Sequence, residues 1–184
     1  MKNKSILLLS VLVLALIIGG ASVGYKKLSK NYEATEQLAS ENTDKKTQAP
    51  DFTVLDSDMN KVKLSDMKGK PTVVNFWATW CRYCIVEMPH FEEAYKEYKD
   101  DINFMMVDLT DGQRETIEKA KAFIDESGYT FDIYYDTEYS AANAYRTNSI
   151  PMTVFINADG TISNIHKGAM DKKALMAYIE KLSK

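Results

Sequence analysis

Cys81 and Cys84 are the only cysteines in 184 residues, and they lie in the run Asn75-Phe76-Trp77-Ala78-Thr79-Trp80-Cys81-Arg82-Tyr83-Cys84. The apolar stretch Thr72–Trp77 predicts a strand, a short aromatic loop follows, and a helix is predicted to open at the first cysteine. Cys-x-x-Cys at such a junction lets two sulfurs form a reversible disulfide across one helical turn. It also sets Cys81 at a helix N-terminus, where backbone N–H groups and the helix dipole favour thiolate over thiol. A thiolate with a resolving partner one turn away can carry out thiol–disulfide exchange. A closed zinc site needs four ligands, and only His90 and His166 could join the cysteines. A purely structural bridge across so short a loop removes little entropy from the unfolded chain. Redox work is the better reading, with no metal expected.

Glu87 follows Cys84 by three residues and shares its helical face. It is either a favourable acid in the first turns of a helix or a partly buried carboxyl that shuttles protons for Cys84. Trp77, on the strand, reads as core; Trp80, in the loop, reads as a shield and contact surface beside Cys81. The Arg82 charge should favour the Cys81 thiolate and so the reduced form, which makes a disulfide more oxidising. Tyr83 is a partner contact or an exposed aromatic; the sequence does not separate the two.

These residues need a scaffold. Residues 51–55 and 61–64 predict a hairpin-like entry. A helix is expected over 81–99, kinked at Pro89, then a buried strand over 102–107 and a helix over 114–126 stopped by Ser127-Gly128. A strand over 131–135, a short helix over 138–145, and strands Met152–Ile156 and 162–166 around Asn157-Ala158-Asp159-Gly160 come next. Asp171 caps a last helix. The expected class is α/β, a mixed central sheet with helices on both faces.

Residues 1–30 read as an N-terminal signal anchor. Lys2 and Lys4 precede a charge-free stretch, 5–25, and Lys26, Lys27 and Lys30 follow it. Its 21 residues span about 31 Å as a helix, enough for a hydrocarbon core of ~30 Å. The alternative is a cleaved signal peptide built on residues 6–18 and a secreted product. Residues 31–49 read as a flexible tether, and 50–184 as one domain. Residues 1–30 hold five lysines and no acid, so the chain's formal −3 becomes −8 beyond them. An acidic domain argues against nucleic acid as a partner and against lying flat on an anionic membrane.

Trp-Cys-x-x-Cys after a buried strand, the pair Ile150-Pro151 before another, a hairpin, Gly168 and a final helix together resemble the thioredoxin fold. The opening Ala49-Pro50-Asp51-Phe52, the extra helix and strand over 114–135, and Glu87-Met88-Pro89 are similar to the TlpA/ResA-like redoxin branch. The likeness covers about residues 49–182; Asn75 stands where cytoplasmic thioredoxin carries a buried aspartate. The dipeptide Arg82-Tyr83 departs from the proline-containing pairs common in these families. The resemblance implies a thiol–disulfide oxidoreductase that needs no bound cofactor, with Cys81 as nucleophile, Cys84 as resolving thiol and Glu87 in proton transfer. It implies a cis peptide at Pro151 facing the disulfide, although most X-Pro bonds are trans. Trp80, Arg82, Tyr83, Ile150 and Pro151 are then the expected substrate-binding residues.

The expected protein is a membrane-anchored, extracytoplasmic, monomeric bacterial domain. Its expected partners are dithiol or disulfide client proteins and a membrane electron donor or acceptor. Reduction is the preferred direction, for example of apocytochrome c cysteines or of an oxidised methionine sulfoxide reductase. The alternatives are a disulfide-forming oxidase for secreted proteins and a thiol peroxidase. The peroxidase would need a Thr two or three residues before its cysteine in a Pro-rich loop, and Thr79 only partly echoes that.

Overall fold

The computed structural model describes residues 47–182. The expected anchor and the expected tether as far as residue 46 lie outside the described residues. Among the described residues no helix is long and apolar enough to cross a membrane.

Among the described residues seven strands form one mixed sheet: β1 Thr53–Leu55, β2 Lys61–Lys63, β3 Thr72–Trp77, β4 Asn103–Asp108, β5 Ile133–Tyr135, β6 Met152–Ile156 and β7 Ile162–Lys167. Their spatial order is β2-β1-β5-β4-β3-β6-β7. β3, β4 and β5 run parallel, while β1 joins β5 and β6 joins β3 in antiparallel fashion. All six residues of β3 are buried, as a strand covered on both faces requires. Val73 and Trp77 point into one core and Val74 and Phe76 into the other, following the two-residue period of a strand.

Among the described residues four α-helices cover the sheet: α1 Arg82–Tyr98, α2 Ile117–Ser127, α3 Ser140–Ala144 and α4 Lys172–Leu182. Met88 and Phe91 of α1, Ala120 and Ile124 of α2, and Leu175 and Ile179 of α4 pack into the core that holds Trp77. Ala141 of α3 joins Phe52 and Val54 in the other core. Removing each large apolar side chain from water contributes about 1.5–3 kcal/mol, so these two layers are what holds the sheet in place.

The boundaries differ from expectation in explicable ways. The domain already begins at Thr47: Gln48 bridges Thr161, and the Ile162 N–H donates to the Thr47 carbonyl at 2.8 Å. The expected tether, 31–49, therefore reaches into the domain edge. α2 starts three residues later than the expected helix over 114–126, because the Asp111 carboxylate accepts from the Gln113 and Glu115 N–H groups and turns the chain there. Thr116 then caps the helix by accepting from the Lys119 N–H. α3 shrinks to Ser140–Ala144 because Asp136, at its approach, accepts from the Ala141 and Ala142 N–H groups. α1 runs through Pro89 as one helix.

Candidate functional site

β3 ends at Trp77, and the Cys81 N–H donates to the Ala78 carbonyl at 3.1 Å, which closes a tight turn out of the sheet. Cys81 is the N-cap of α1, its Sγ accepting from the Cys84 N–H at 3.2 Å. A disulfide joins Cys81 to Cys84, with Cα atoms 5.2 Å apart. Cys81 keeps 6 % of its surface and Cys84 none, so an incoming sulfur can approach only the first.

One turn on, Glu87 is 1 % exposed. Its Oε1 accepts from Asn75 Nδ2 at 2.9 Å and its Oε2 from the Met170 N–H at 2.8 Å. Asn75 Nδ2 also donates to Thr153 Oγ1 at 3.0 Å, tying β3 to β6 around the acid. Burial pushes the carboxyl up to about 7, against the two hydrogen bonds that favour its charged form. A buried acid held near neutrality, on the helical face of a buried cysteine, can give or take a proton at ordinary pH.

The Ile150–Pro151 peptide is cis. Strand pairing sets Phe76 opposite Met152, which places Pro151 level with Trp77, at the end of the sheet where the cysteine loop leaves. Ile150 is half-buried and packs against the core cluster that contains both cysteines. The Gly168 N–H donates to the Pro151 carbonyl at 2.9 Å.

Trp77 is fully buried, whereas Trp80 and Tyr83 keep 43 % and 69 % of their surface. Arg82 is exposed as well. The structure thus gathers Cys81, Cys84 and Glu87 along one face of α1, with Trp80, Arg82 and Tyr83 exposed beside Cys81 and Ile150-Pro151 at the same sheet end.

Several residues here were not anticipated. Thr153 and Met170 complete the cage around Glu87. Arg114 lies over the Trp80 ring, 4.0 Å from its centroid. Thr79 Oγ1 donates to Glu115 Oε2 at 2.7 Å, so Thr79 serves a buried acid. Asp108 and Glu115 are both fully buried. An acid ending an apolar strand run was the one visible signal, and nothing in the sequence paired it with Glu115.

The family model described as AhpC/TSA matches residues 46–165, well over half the chain. The chain belongs to the AhpC/TSA family. It is 30 % identical over 183 residues to the thiol-disulfide oxidoreductase ResA of Geobacillus kaustophilus, covering 99 % of both chains. Among solved structures it resembles a Chlorobium tepidum protein described as a thiol:disulfide interchange protein DsbE. That match has a TM-score of 0.68 and 26 % identity, and it covers 77 % of this chain and 99 % of that one. It also resembles the exposed lipoprotein thioredoxin Etrx1 of Streptococcus pneumoniae, with a TM-score of 0.63, 28 % identity and coverage of 72 % and 99 %. This AhpC/TSA member has the thioredoxin-like fold and is a thiol–disulfide oxidoreductase.

Proposed function

We propose that the protein is a membrane-anchored, extracytoplasmic reductant of protein disulfides. In its reduced form the Cys81 thiolate attacks a client disulfide, forming a mixed disulfide and releasing one client thiolate, which takes a proton. Cys84 then gives its proton to the Glu87 carboxylate and attacks Cys81 Sγ. The second client thiolate leaves with the proton that Glu87 accepted, and the Cys81–Cys84 disulfide forms. The client gains two electrons and two protons, and a membrane dithiol donor restores the pair by the reverse route.

The observation that carries this reading is the Glu87 carboxyl, buried beside the buried Cys84 and held near neutrality. When ionised it disfavours a second negative charge at Cys84. That offsets the helix N-terminus, which stabilises the Cys81 thiolate and with it the reduced state. Trp80, Arg82, Tyr83 and Ile150 form the rim that a client chain would touch, and Pro151 offers no N–H for a strand ladder across the sulfurs. An extracytoplasmic location is supported by the charge-free stretch 5–25 and by the likeness to an exposed lipoprotein. The test is Cys84→Ser in the full chain, incubated with a disulfide-bonded client. It should arrest as a mixed disulfide through Cys81 that Cys81→Ser cannot form. Equal trapping by both variants would contradict the assignment.

A further inference from the structure

A pair of buried acids lies behind the loop that presents Cys81. Asp108 ends β4, Glu115 lies just before α2, and both are fully out of solvent. Asp108 Oδ1 accepts from Thr110 Oγ1 at 2.5 Å, and Glu115 Oε2 accepts from Thr79 Oγ1 at 2.7 Å. Asp108 Oδ2 and Glu115 Oε1 are left buried without a donor, and the two carboxyls are within hydrogen-bonding reach of each other. A proton kept on Asp108 Oδ2 and directed at Glu115 Oε1 satisfies both orphan oxygens.

We infer that Asp108 keeps its proton and directs it at Glu115, and that the two act as positioning residues for disulfide exchange, latching the Thr79-Trp80 loop in place beside Cys81. The inference rests on the proposed role of Cys81 as the attacked sulfur. Consecutive residues before α2 grip consecutive residues of that loop: Arg114 covers the Trp80 ring and Glu115 receives the Thr79 hydroxyl. The gripping segment is folded on itself by Asp111 and by the Gly112 N–H donating to the Glu115 carbonyl at 2.9 Å. Through the acid pair it is fastened to the end of β4.

The surroundings keep the proton in place. Burial first, then Glu115 and Asp111, hold Asp108 up at about 8, against the Thr110 hydroxyl, which lowers it. From β5, Tyr135 lies level with Asp108, and Asp136 donates its N–H to the Asp108 carbonyl. The Asp136 carboxyl, itself raised by burial, is occupied with Ala141 and Ala142. From α2, the charge of Glu118 is felt at Tyr135 and that of Lys119 at Asp111. β3 and the loop after it offer no charged group, only Thr79 and the Trp77 indole. Arg114 is engaged on Trp80.

The test is acrylamide quenching of the oxidised full chain against pH. Trp77 is buried, so quenching reports Trp80. The wild type should show Trp80 becoming more accessible above about pH 8, with client exchange slowing over the same interval. Asp108→Asn, whose amide donates to Glu115 at any pH, should lose both transitions while keeping the low-pH behaviour, and Glu115→Gln should do the same. In parallel, carboxyl carbon NMR of the wild type should show Asp108 titrating on the alkaline side of neutrality. A flat quenching profile, an unchanged transition in either variant, or Asp108 titrating in the ordinary carboxylate range would overturn the latch. The arrest of Cys84→Ser as a mixed disulfide tests the exchange reading separately, since it does not depend on the acid pair.

Discussion

At Glu87, burial favours the neutral acid, while the Asn75 amide and the Met170 N–H favour the carboxylate. Burial wins, and the folded protein therefore holds a proton that the unfolded chain releases between about pH 4.5 and 7. The sign follows directly: the native state binds more protons, so stability falls as pH rises through that window. A shift of this size corresponds to about 3 kcal/mol at most. Glu87→Gln removes this dependence. Urea midpoints of the two oxidised proteins should therefore diverge in favour of the variant as pH rises, whereas parallel curves would contradict the burial argument. The same variant should slow client reduction at neutral pH by roughly a hundredfold, the usual contribution of a positioned proton carrier. The acid's position was legible from Cys84 plus three residues. Its cage was not, because Thr153 and Met170 arrive from 66 and 83 residues further on.

Helices and turns follow short-range rules, and most of them could be read from the chain. The Asn157-Ala158-Asp159-Gly160 turn, the Asp171 cap (Ala174 N–H to Asp171 Oδ1, 2.7 Å) and the stop of α2 at Gly128 all lie where local chemistry puts them. The errors cluster at approaches to helices, where the Asp111 and Asp136 side chains compete with helical hydrogen bonds in ways that apolar periodicity does not register. Gly128 has φ 69° at the C-cap of α2, and a Cβ there would meet nothing within 4 Å. Gly128→Ala should therefore cost about 1 kcal/mol of stability through backbone strain alone, read as a lower urea midpoint. An unchanged midpoint would mean that the left-handed cap contributes nothing to α2.

For the molecule as a whole, alternating strands and helices made the α/β class readable, but not the order β2-β1-β5-β4-β3-β6-β7. Placing β5 between β1 and β4 depends on pairing between segments far apart in sequence, which local pattern does not encode. That arrangement brings residues 111–116 against the cysteine loop, so Arg114 and Glu115 were invisible as site residues, and Asp108 showed only as an acid ending an apolar run. The central claim concerns the direction in which the whole molecule passes electrons. It is tested most directly by the reduction potential of the Cys81–Cys84 pair in the full chain, equilibrated in detergent with glutathione or dithiothreitol. A value near about −270 mV is expected for a reductant supplied by a membrane dithiol donor. A value near or above about −180 mV would contradict the account and make the protein a disulfide-forming oxidant.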